Sequence, residues 1–187
     1  MRFDRPSPAP PLSRASLVIG LYGALALTGL MLSSGRGDPD VYRLADRPGW
    51  MLLVSPVLGL ALGLGVVGLS RLAVARWEWA RALHASFRDL LGPLTRRDVL
   101  VIAASSAIGE EILFRGALLP WLGLWPSVLA FGLLHIGPGR RFLPWTVSAL
   151  VLGLAFSLLA QTTGDLGGPI VAHFVINLLN LRFITQR

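Results

Sequence analysis

The chain has 187 residues, 53% of them hydrophobic and only 14% charged, with a formal charge of +7 and no cysteine. Soluble domains carry about a quarter charged residues, so a sizeable soluble domain is excluded, and with it go disulfides, thiolate catalysis and Cys-ligated zinc. All basic residues are arginines, and they fall between apolar runs rather than on an aromatic-studded basic face. They therefore read as topology signals and lipid-headgroup contacts, not as a nucleic-acid surface.

In chain order, residues 1–15 hold Arg2, Arg5, Arg14 and four prolines and are expected to form a disordered cytoplasmic tail. The first apolar run, Ser16 to Ser34, is longer than a signal-peptide core and is followed by further runs, which predicts a retained signal-anchor. Residues 35–49, rich in Gly, Pro, Asp and Arg, read as a loop. Trp50 to Ser70 is the second run. Arg71 to Asp98 interleaves six arginines with Trp77, Trp79, Leu83, Phe87 and Leu91, the pattern of an amphipathic helix on a membrane surface, where His84 is expected as a surface histidine.

Four more runs follow: Val99 to Leu119, Leu124 to Ile136, Leu143 to Ala160 and Gly168 to Ile184. A crossing needs roughly 20 apolar residues. The run from Leu124 is short, so it either begins near Trp121 or forms a partly buried helix that does not span alone. The expected fold is all-α: a polytopic membrane bundle of about six transmembrane helices plus an amphipathic cytoplasmic surface helix. Residues 16–94 supply two spans and the basic segment, and residues 95–187 supply the core.

With the N-terminus inside, the cytoplasmic segments hold 13 arginines: Arg2, Arg5, Arg14, the six of 71–97, Arg140, Arg141, Arg182 and Arg187. The outside holds Arg36, Arg43 and Arg47, balanced by Asp38, Asp40 and Asp46. That asymmetry predicts six helices with both termini cytoplasmic, and the composition suggests a bacterial source, hence a multi-pass protein of a bacterial inner membrane.

Chemistry concentrates in the third run, where Glu110, Glu111 and Arg115 interrupt an otherwise apolar helix. Each charge at mid-bilayer costs about 2.5–3.5 kcal/mol on insertion scales. Glu111 and Arg115, four apart, share a face and can pair as a structural lock. Glu110 points about 100° away, without a local partner. His135 ends the fourth run, His173 opens the sixth, and Asn177 shares the His173 face one turn on. Taken singly, each has a structural reading: a protonated buried acid for Glu110, interhelical glue for the histidines, packing for Phe131. Converging in a wet cavity, they would supply a carboxylate base, two imidazoles and an amide donor, which suffices for hydrolysis.

Glu-Glu-x-x-x-Arg, then Phe-x-x-x-His, then His-x-x-x-Asn, in this order on separate apolar helices, resembles the CPBP family. That family contains CAAX prenyl endopeptidases and bacteriocin-processing or immunity (Abi-type) membrane proteins. The resemblance covers about residues 95–187. It implies an intramembrane endopeptidase, a hydrolase acting on a membrane-associated peptide or protein, with membrane lipids as its other partner. It implies Glu110 as the base that activates water, with His135 holding that water, His173 and Asn177 stabilising the oxyanion, and Glu111, Arg115 and Phe131 in support. A divalent metal such as zinc on Glu110, His135 and His173 and a metal-free glutamate mechanism are both consistent with the resemblance; the His-Glu-x-x-His of ordinary zincins is absent. Two other classes compete: a non-catalytic immunity or partner-binding membrane protein on the same fold, and a proton-coupled transporter, for which intramembrane Glu and His also serve.

Overall fold

The computed structural model describes residues 13–185. Ser13 accepts a hydrogen bond from the Ser16 amide and starts helix α1, Arg14–Gly35. The expected tail otherwise lies on residues 1–12, outside the described ones. Helix α2 runs Met51–Arg76 and so takes up 71–76, which the sequence reading had given to the surface segment. The chain turns at Trp77, in extended backbone, and helix α3 follows as Glu78–Leu91. Gly92, at φ +61°, and Pro93 end it.

A capping box between Thr95 and Asp98 opens α4, Arg96–Glu111. Its rod continues without a break through a π-helical segment, Ile112–Leu118, into α5, Leu119–Leu122. Gly123, at φ +83°, stops that rod. Helix α6 is Leu124–Leu133, and a 3₁₀ turn at Arg140–Phe142 leads into α7, Leu143–Thr163. Helix α8 is Gly167–Thr185. The fold of the described residues is all-helical; the sole β pairing among them is an isolated bridge between Arg43 and Asp165.

Four elements are long and apolar enough to cross a bilayer by length and composition: Arg14–Gly35, Met51–Arg76, Arg140–Thr163 and Gly167–Thr185. They account for four of the about six expected crossings. The rod from Arg96 to Leu122 has crossing length, about 40 Å, but carries three buried charges. Helix α6, with 10 residues, reaches only about 15 Å, half the hydrocarbon thickness. Outward faces are apolar, with Leu21, Leu27, Leu53, Leu60, Leu69 and Val151 exposed. Water would penalise so continuous an apolar surface, whereas lipid accepts it.

Glycines bring the backbones together where the site is built. In α2, Gly59 and Gly63 lie one helical turn apart against Gly168 and Ala172 of α8; a Cβ on Gly59 would fall 2.1 Å from the Gly168 carbonyl oxygen. This is the small-residue interlock that replaces hydrophobic driving force inside a membrane. Likewise Gly29 of α1 meets the backbone of Ile112 and Leu113, and Gly109 of α4 meets Tyr22 of α1. Two aromatic clusters fill the remaining space: Leu113, Phe114, Phe131 and Ala149; and Phe156, Ala172 and Ile176.

Candidate active site

The Glu110 carboxylate sits on the last turn of α4, buried, with 7% of the residue exposed. Its Oε2 has no hydrogen-bond partner. His135, just beyond the end of α6, brings its Nε2 to 3.7 Å from that oxygen, and His173 of α8 brings its own Nε2 to 3.9 Å. The short α6 makes this possible: ending at Leu133, it delivers His135 to the depth of Glu110 rather than to the Gly-Pro-Gly-Arg-Arg turn.

Second partners fix both rings. His135 Nδ1 lies 2.7 Å from the Phe131 carbonyl, and His173 Nδ1 lies 2.8 Å from Glu111 Oε1. A carbonyl and a carboxylate can only accept, so each Nδ1 carries its hydrogen. In the neutral rings both Nε2 lone pairs therefore face Glu110 Oε2. The same Glu111 oxygen accepts from Arg115 Nη1 at 3.0 Å. Arg115 has no exposed surface; its Nη2 donates to the Gly153 carbonyl, and its guanidinium lies 4.3 Å from the centre of the Phe131 ring. Arg115, Glu111, His173, Glu110 and His135 thus form one connected seam.

Phe131 packs edge-on to Phe114 and tilts against His135, while Phe156 stacks on His173. Asn177 donates from Nδ2 to Ser106 Oγ at 2.9 Å, which anchors the amide and leaves its second N–H. Ser106, one turn before Glu110 on the same face, was not singled out from the sequence. Tyr22 was missed. It lines the same cavity as Glu110, His135 and His173, and the one signal was a lone tyrosine inside the first apolar run.

A cavity of about 350 Å³ opens from Glu110, His135 and His173 toward α3 and the end of α8. Trp79, Leu83, His84 and Phe87 of α3 line it, with Phe183 and Ile184 of α8. His84 is therefore no surface histidine: it is half-buried, edge-on to Phe183 with ring centres 4.7 Å apart. Among the described residues, no group of three or more His, Asp or Glu side chains is arranged to hold a metal ion. At 3.7 and 3.9 Å from Glu110 Oε2, the two imidazoles leave Glu110, His135 and His173 wider than a closed ligand set.

Residues 93–179 match the family described as Type II CAAX prenyl endopeptidase Rce1-like. Over 81 residues the chain is 35% identical to the "Uncharacterized protein YpbD" of Bacillus subtilis (strain 168). That match covers 42% of this chain and 41% of the relative, so the chain spans less than half the length of the curated relative it matches. No solved structure matches the chain significantly.

Proposed function

Taking residues 93–179 as a Rce1-like segment, we propose that this chain is an intramembrane endopeptidase that hydrolyses a membrane-associated peptide or protein by glutamate-activated water. The observation that carries the reading is the convergence of two Nε2 atoms on a buried, unpartnered carboxylate oxygen. An unpartnered polar atom at that depth is costly unless something binds there.

Glu110 Oε2 and His135 Nε2 are both acceptors, and a water between them would give one hydrogen to each. Its lone pair would then be free for a substrate carbonyl entering from the cavity. Glu110 takes the proton as the C–O bond forms. His173, held by Glu111 and able to carry a second proton at Nε2, and the second N–H of Asn177 stabilise the oxyanion. Glu110 then returns its proton to the amide nitrogen as the C–N bond breaks. No step is routed through a metal. The 13-to-3 arginine asymmetry supports placing the α3 side in the cytoplasm.

Glu110→Gln keeps the shape of the side chain and removes the base. In purified protein incubated with membrane-tethered peptides, kcat should fall by about 10²–10⁴-fold, while cleavage by the parent should survive a strong chelator. Parental cleavage rates in Glu110→Gln would overturn the reading.

A further inference from the structure

We propose that Ser106 of α4 is a positioning residue of the reaction centre: its hydroxyl holds the NH2 end of the Asn177 amide, so that the second N–H is presented to the oxyanion. The inference rests on the hydrolase reading above and adds a residue outside the Glu-Glu-x-x-x-Arg, Phe-x-x-x-His and His-x-x-x-Asn motifs.

Ser106 lies within α4, one turn before Glu110, and only 1% of it is exposed. Serine gains nothing as a helix former there, because its hydroxyl competes with the backbone for hydrogen bonds. Ala103 and Ala107 beside it are fully buried, so the packing here asks only for small side chains. Alanine would serve that packing equally well, and the hydroxyl is the part that needs a reason. A buried hydroxyl without partners costs about 1–3 kcal/mol, and this one has two. Its Oγ donates to the Ala103 carbonyl at 3.3 Å and accepts from Asn177 Nδ2 at 2.9 Å. Ser106 and Asn177 line the same cavity as Glu110, His135 and His173.

Donor counting fixes which way the amide lies. A hydroxyl has one hydrogen, and that of Ser106 is directed at the Ala103 carbonyl. Oγ therefore meets Asn177 as an acceptor and selects its NH2 end. A flipped amide would set Oδ1 against the lone pairs of Oγ, and would turn lone pairs rather than a hydrogen toward a developing negative charge. The two polar residues of α8 are thus each tied to the rod that carries the base. His173 Nδ1 donates to Glu111 Oε1 at 2.8 Å, and Asn177 Nδ2 donates to Ser106. The ties fall on successive turns of α8 and leave His173 Nε2 and one Asn177 N–H for the reacting oxygen. A donor held in this way needs no reorientation as charge develops.

The test is Ser106→Ala, which removes the hydroxyl and keeps the small side chain that the helix contact needs. Steady-state cleavage of a membrane-tethered peptide should show kcat lower by roughly 10-fold, less than the 10²–10³ typical of deleting an oxyanion donor outright, with KM within twofold of the parent. In the Asn177→Ala background the same change should cost nothing further, because the group it positions is gone; a merely structural serine would cost as much in both backgrounds. The two side-chain amide hydrogens of Asn177, assigned in the NMR spectrum by their absence from Asn177→Ala, give a readout without turnover. In the parent the hydrogen on Ser106 should be the less temperature-dependent of the two, and in Ser106→Ala that difference should vanish. Equal temperature dependence in the parent, a parental kcat in Ser106→Ala, or a further loss on adding it to Asn177→Ala would overturn the proposal. If the parent cleaves no peptide, the hydrolase reading fails and takes the catalytic role with it, while the NMR comparison still decides whether Ser106 holds Asn177.

Discussion

The two ends of the bundle are built differently. At one end the loop between α1 and α2 is stitched to the α7–α8 turn: Leu44 and Ala45 amides donate to the Gly164 carbonyl, and the Leu166 amide donates to Tyr42. Arg47 reaches the Gln161 carbonyl, and the space left there is about 10 Å³. At the other end α3 is laid over the mouth of a cavity of about 350 Å³ by side chains. Arg88 donates to the Ile184 carbonyl, and Phe87 meets Phe142 and Trp145 edge-on. Backbone pairing seals one end, while aromatic edges and arginine contacts cover the other. Glu110 is therefore reached from the α3 side.

The largest effect should come from cutting the seam that lies between the two ends. Arg115→Ala leaves Glu111 buried without its cation and should cost about 3–5 kcal/mol, read as a lower unfolding midpoint in detergent, with loss of activity as a consequence. A smaller effect should come from filling the open end. Leu83→Trp narrows the cavity without touching the seam and should raise KM roughly tenfold, with a stability loss of about 1–3 kcal/mol, typical of overpacking. Arg47→Ala at the sealed end should leave KM at the parental value; equal effects at both ends would remove the distinction.

The smallest effect sharpens the picture of α3. Burial pushes the His84 imidazole below the usual histidine range, and Arg88 and Arg71 add to this. Docked α3 therefore favours the neutral ring. Undocked, the ring takes a proton near its ordinary pKa of about 6.5, so docking is full above that value and weakens as pH falls below it. Hydrogen-exchange protection of residues 78–91, corrected for intrinsic rates, should drop between pH 7.5 and 5.5 in the parent and hold steady in His84→Phe.

The membrane character and the polar constellation were legible because both rest on local pattern. Long apolar runs announce crossings, and a charge inside one has to be compensated by something. The i,i+4 spacing of Glu111 and Arg115 named its own partner. What stayed hidden depends on contacts between distant segments. The run from Leu124 already reads as short, but nothing local in it says that the helix ends at Leu133 and brings His135 to Glu110. Nothing in 71–76 distinguishes the end of α2 from the start of a surface helix until Trp77 breaks the backbone. The amphipathic stripe of α3 was readable, but its apolar face was assigned to lipid, and the structure lays part of it over the cavity. Tyr22 looked like one aromatic among many, because its meaning comes from Gly109, 87 residues away.

The interlock of Gly59 and Gly63 with Gly168 and Ala172 bears on how the protein is made. Helix α2 is synthesised and inserted long before α8, so its glycines first face lipid with nothing to grip. Helix α8 follows every other described helix and brings His173 and Asn177 with it. Until it arrives, Glu110 lacks one imidazole and Glu111 lacks its second partner. The side-chain seam around Glu110 is therefore completed in a single late event, and a nascent chain paused before Gly167 lacks both the His173 and the Asn177 side of it.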